Sequence, residues 1–294
     1  MPLAQATRSP LAARTASFVL VAGLLAASCG SDSGSASTTN VATSATASVT
    51  TETPTPQTTT PQTTTTVEVR PLHLVGLGDS IPGALNCDGC TSFVTVYGRL
   101  AETALGRSVE VTNLATNDSL QSPILVDRVL TDDTHREALA QADLVTLHIG
   151  LNDLDVVVCG GFSDRACWDA LEGRITDNIA TILDEITKLR AGQPTAVRVT
   201  TMFDPYPGGD GAAKDPVWMG FYIPEFVHFA ELTCQTAVAH GAECIDLIPL
   251  FNGPNADQDP IEFVQPIPDH VHLNQKGHDM VANAIAAVGF APIG

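Results

Sequence analysis

The chain has 294 residues, with 14 Lys and Arg against 33 Asp and Glu, a formal charge of −19. Such a balance repels polyanions and excludes nucleic acid as a partner. Apolar residues at 44 % exclude wholesale disorder, and no apolar run reaches the roughly 18 residues of a membrane-spanning helix.

Residues 1–28 carry Arg8 and Arg14 and no acid, and their apolar stretch over 18–27 is followed by Ser28 and Cys29. A basic region, a short apolar region and small residues before a cut predict an export signal. Cys29 directly after those small residues resembles the lipid-attachment motif of bacterial lipoproteins. The resemblance implies cleavage before Cys29, lipidation there and anchoring at the outer face of the cell membrane without a span. An ordinary signal peptide with an incidental Cys is the alternative. Ser and Thr make up 21 of the 36 residues over 31–66, with no aromatic among them. Such a segment cannot bury enough apolar surface to offset its ordering entropy. Residues 29–66 are therefore read as the lipidated Cys followed by a disordered, extended stalk.

Residues 67–294 fit one domain. Short, nearly continuous apolar runs at 72–77, 109–114, 144–149, 197–202 and 244–247 predict strands covered on both faces. Between them lie helical patterns. Ile175, Ile179, Ile182, Leu183, Ile186 and Leu189 form one apolar stripe. A second helix is predicted over 226–240, ending at Gly241, and a third after Gly277. Alternation of this kind predicts an α/β fold, a three-layer sandwich with a five-stranded parallel sheet. Its reactive groups are expected at the carboxyl ends of the strands.

Three predicted strand ends and one late loop carry the polar residues. They are Gly78-Asp79-Ser80, Asn113 to Ser119, Gly150-Leu151-Asn152-Asp153 and Asp269-His270-Val271-His272. Taken singly, each is a turn signal. Together, in this order, they resemble the SGNH hydrolase superfamily, the GDSL esterases and lipases, over about residues 70–290. Ile81 stands where the family name has Leu. The resemblance implies a flavodoxin-like sheet, a serine ester hydrolase without metal or organic cofactor, and a small acyl-ester substrate, lipid or acylated sugar.

The chemistry fits the residue types. Ser80 needs a base to become a nucleophile, and His272 supplies it. Asp269, three residues earlier, would fix the imidazole tautomer. His270 is a rival base, but the spacing of three favours His272. His278 reads as a capping or packing residue at the last helix's start. A metal site of His270, His272 and His278 lacks a ligand pattern, so no metal is expected. The backbone N–H of Ser80 and the side chain of Asn152 would form the oxyanion hole. The family's third donor comes from a glycine in the second block. That glycine is absent here and the matching position is Asp118; Asn and Asp tolerate positive φ next best, so the backbone N–H of Asn117 or Asp118 could still be the third donor, with the Asp118 carboxylate pointing away.

Setting Cys29 aside leaves Cys87, Cys90, Cys159, Cys167, Cys234 and Cys244. An even number in an exported domain reads as disulfides, with 15 connectivities open. Proximity in the chain, and the local bridges common in secreted members of the family, suggest 87–90, 159–167 and 234–244. A redox Cys-x-x-Cys at 87–90 is the alternative there. Residues 204–227, with Tyr206, Trp218, Phe221, Tyr222 and Phe226, are a candidate substrate wall or an inward-packed loop. The expected protein is an exported, monomeric carboxylic ester hydrolase. Acyl transfer to a sugar or lipid hydroxyl is the alternative within catalysis, and a weakly active or non-catalytic binding lipoprotein the one outside it.

Overall fold

A computed structural model describes residues 70–116, 118–154, 159, 164–207 and 223–293. The expected signal segment, Cys29 and the stalk lie outside these residues, as do Asn117 and most of the candidate wall. Contacts divide the chain into units 1–63 and 64–294, and the description concerns the second.

Five strands form one sheet: β1 Leu72–Gly78, β2 Val109–Asn113, β3 Leu144–His148, β4 Ala196–Thr200 and β5 Glu243–Ile245. All pair in parallel, in the order β2-β1-β3-β4-β5. Each lies within two residues of its predicted run, because continuous apolar sequence is what a doubly covered strand requires.

Among the described residues, seven helices pack on the two faces. They are α1 Phe93–Leu105, α2 Ser122–Thr131, α3 Asp133–Gln141, α4 Arg165–Leu189, α5 Ile223–Ala239, α6 Ile248–Phe251 and α7 Gln275–Ala287. Successive strand residues point to opposite faces. Leu74, Leu144, Ala196 and Ile245 join residues of α1 and α7 in one core. Val75, Leu77, Val145, Leu147 and Val199 join residues of α2 to α5 in the other. The predicted stripe of α4 is buried from Ile175 to Ile186. The expected three-layer α/β/α sandwich is the observed fold.

Connections from β1 lead to one side of the sheet and those from β3 to the other. The order therefore reverses between β1 and β3, which opens a crevice beyond their carboxyl ends. The Gly-Asp-Ser and Gly-Leu-Asn-Asp segments follow those two strands.

Candidate active site

β1 ends on Gly78, whose φ of +142° and closeness to β3 admit no side chain. A Cβ there would stand 2.0 Å from the His148 carbonyl oxygen. The chain then turns, with Asp79 Oδ1 accepting from the Ile81 N–H at 3.1 Å and the Ser80 carbonyl accepting from the Leu85 N–H at 3.0 Å. This turn lifts the Ser80 side chain above the strand ends.

Asp269 and His272 come from the loop before α7. Ser80 Oγ lies 3.0 Å from His272 Nε2, and His272 Nδ1 lies 2.8 Å and 2.9 Å from the two Asp269 oxygens. A carboxylate at Nδ1 holds the proton there, which leaves the Nε2 lone pair facing the Ser80 hydroxyl. Burial works to raise the Asp269 pKa. Hydrogen bonds from the His272 N–H, the Asn86 side chain, the Val271 N–H and the imidazole outweigh it and hold the carboxyl below its ordinary range. Asn86 Nδ2 donates to Asp269 Oδ2 at 2.5 Å, from a residue in the left-handed region at φ 57°. Sequence reasoning did not single out Asn86. Its signal was faint: a left-handed position six residues beyond the nucleophile, a conformation that Asn tolerates.

Asn152 sits in the short helical turn Leu151–Asp153 after β3. Gly150 opens that turn at φ +128°, and a Cβ on it would crowd Ile175 and Phe229 at 3.1 Å each. Asp153 locks the turn from below by accepting from the Ser122 N–H and hydroxyl at the start of α2. Asn152 Nδ2 donates to the Leu120 carbonyl at 3.1 Å and to Asp79 Oδ2 at 3.3 Å. Burial pushes the Asp79 carboxyl up to about 7. Below that pH a neutral acid, not a second negative charge, stands behind Asn152.

Ser80, Asn86, Ser119, Asn152, Asp269 and His272, with apolar residues such as Leu85, Leu151 and Val271, line a cavity of about 290 Å³. The structure thus gathers Ser80, Asn152, Asp269 and His272 in one place. Asp118 is not in that wall. It is exposed, its carboxylate accepts from the Thr116 hydroxyl, and its neighbour Ser119 faces the cavity instead.

The other histidines take different partners. His270 is buried and its Nε2 pairs with Asp259 at 2.9 Å. His278, pushed down to about 4 by burial, accepts from the Phe93 N–H and packs within α7. Tyr206 braces the loop from behind, its hydroxyl donating to the Asp269 carbonyl at 2.9 Å. Phe226 is buried in α5. Trp218, Phe221 and Tyr222 lie outside the described residues. The six cysteines are bonded as 87–90, 159–167 and 234–244. Among the described residues no helix is long and apolar enough to cross a membrane.

This geometry agrees with comparison against known proteins. Residues 77–280 match the model of the GDSL-like lipase/acylhydrolase family. The chain belongs to that family, and it is a carboxylic ester hydrolase. Similar solved structures include a lipase from a goat rumen metagenome, with TM-score 0.63 and 19 % identity over 76 % of this chain and 100 % of that one. A mutant acetyl-xylooligosaccharide esterase from Geobacillus stearothermophilus matches with TM-score 0.52 and 19 % identity, over 75 % of this chain and 95 % of that one. At these identities the two structures establish a shared fold. No curated protein sequence matches the chain significantly.

Proposed function

We propose that the chain cleaves small acyl esters through a covalent acyl-enzyme formed on Ser80. The observation that carries this reading is the unbroken hydrogen-bond chain from Asp269 through His272 to Ser80. His272 Nε2 takes the Ser80 proton as Oγ attacks the ester carbonyl. Asp269, held ionised by its four donors, stabilises the imidazolium. The imidazolium then protonates the leaving alcohol, and a water deprotonated by His272 releases the acid. The tetrahedral oxyanion takes the Ser80 N–H and the Asn152 side chain as donors. Asn152 must then share the hydrogen it lends to Asp79, its longer bond at 3.3 Å. With no glycine in the second block, the reading rests on these two donors.

The cavity of about 290 Å³ lies at the small end of the range for ligand sites, which favours a short acyl group. An acetylated sugar, as in the name of the Geobacillus esterase, fits that size. Three disulfides support folding in an oxidising compartment, hence export. We place residues 67–294 outside the cell as the catalytic unit, tethered by lipidated Cys29 and the 29–66 stalk.

The test is turnover of p-nitrophenyl esters from C2 to C12, beside labelling by a fluorophosphonate. Labelling that depends on Ser80, with rates highest at C2 to C4, is the expected result. Absence of both turnover and labelling overturns the hydrolytic reading.

A further inference from the structure

Gly150, which opens the Asn152 turn, packs on Ile175 of α4 and Phe229 of α5. Beside those two contacts the same helices bring together a polar cluster that the reaction does not use. α4 supplies Glu172, and α5 supplies Glu225 and His228, spaced three residues apart and so on one helix face. One ligand atom from each lies within 4.8 Å of the others. Ligand atoms across a zinc ion, with bonds of about 2.0–2.2 Å, stand up to about 4.4 Å apart, so the three need close in by no more than a few tenths of an ångström.

Both glutamates are buried, Glu172 at 1 % and Glu225 at 3 % exposure. Each has one oxygen bound and one without a partner. Glu172 Oε2 pairs with His228 Nδ1 at 2.8 Å, and Glu225 Oε1 pairs with Arg165 Nη1. Among the described residues, Glu172 Oε1 and Glu225 Oε2 have no hydrogen-bond partner. A buried carboxylate oxygen without a donor is costly, so two beside one imidazole call for a missing cation. Burial pushes Glu172 up, with His228 and Arg165 pulling it back. Arg165, half exposed, also holds Asp169 at 2.9 Å and caps the cluster on its solvent side. Three carboxylates and one guanidinium leave two negative charges when His228 is neutral, the charge that a divalent ion balances.

We propose that Glu172, Glu225 and His228 bind one divalent transition-metal ion of the zinc or manganese type, which braces α4 against α5. A Glu-x-x-His on one helix with a Glu from the next is a metal-binding arrangement of helix pairs. The imidazole selects against Mg²⁺ and Ca²⁺, which prefer all-oxygen shells. On binding at Nδ1, the ion displaces the hydrogen that neutral His228 shares with Glu172, and the imidazole keeps its single proton at Nε2. The ion takes no part in ester cleavage, so the site is independent of the hydrolytic reading.

The full chain, stripped with a chelator and dialysed, is titrated calorimetrically with Zn²⁺ and Mn²⁺, with Ca²⁺ and Mg²⁺ in parallel, and melted with and without each ion. One saturable equivalent of Zn²⁺ or Mn²⁺ is expected. The melting midpoint should rise by about 5–10 °C at an excess of roughly 100-fold over the dissociation constant. His228→Gln, at a partly exposed position, should melt normally without metal and lose both signals. Glu172→Gln should do the same. His240→Ala, which removes an imidazole paired with Asp184 elsewhere, should keep them. The proposal is overturned by the absence of a saturable equivalent, by uptake that survives in His228→Gln, or by a preference for Ca²⁺ or Mg²⁺.

Discussion

Ser80 and His272 meet at 3.0 Å but are held by opposite means. Ser80 follows a strand buried at six of its seven positions and flanked by parallel partners on both sides. Apolar burial and backbone pairing fix it. The loop of Asp269 and His272 contains no strand beyond one isolated bridge, Val264 to Leu273. Side chains fix it: Asn86 and Tyr206 on Asp269, Asp259 on His270, and Asn274 reaching back to the carbonyls of Glu262 and Val264. The nucleophile half should therefore fail all at once when its backbone is disturbed, whereas the acid–base half should weaken bond by bond.

The largest expected effect is chemical. Ser80→Ala should lower ester turnover about 10⁵-fold with an unchanged melting midpoint, and a residual rate near wild type would remove Ser80 from the mechanism. Next is the backbone of the nucleophile half. Gly78→Ala forces a side chain into the His148 carbonyl at positive φ and should cost about 4 kcal/mol or more of stability, read by denaturant melts. Asn152→Ala should lower kcat about 10²–10³-fold with little change in KM, the signature of a donor used in the transition state.

Asp79 gives a pH test of the same half. Burial raises its folded pKa to about 7, above the unfolded value, so the folded chain binds that proton more tightly. Its contribution is complete below about pH 4 and is lost as pH rises through 7, on the order of 4 kcal/mol in all. Asp79→Asn should not show this loss, and equal denaturation midpoints for the two proteins at pH 5 and at pH 8.5 would contradict it. The smallest effect falls on the acid–base half. Asn86→Ala should reduce kcat about tenfold without unfolding the chain, and a loss as deep as that of Ser80→Ala would erase the contrast between the halves.

The sheet was legible because a doubly covered strand leaves an apolar run of five or six residues, as at 72–77 and 144–149. The residues around the nucleophile were legible because Gly78 and Gly150 punctuate strand ends where no other residue fits. What sequence could not show is cooperation across distance. Asn86 meets Asp269 across 183 residues, and Glu172 meets His228 across 56. Neither pair leaves a local pattern, since each is made by how helices and loops pack. Asp118 was matched by a count along the chain to a backbone donor; its carboxylate turns onto Thr116, away from that role, and its neighbour Ser119 lines the cavity.

The three disulfides span only 3, 8 and 10 residues. Short loops close often in an unfolded chain, because the entropic cost of closure rises with loop length. Each cysteine therefore meets its native partner more frequently than any of the distant ones. Under the export proposed above, the correct bridge can form as soon as its second cysteine appears. Pairing errors among the 15 alternatives are thus discouraged by the order of arrival, before the sheet exists to enforce them.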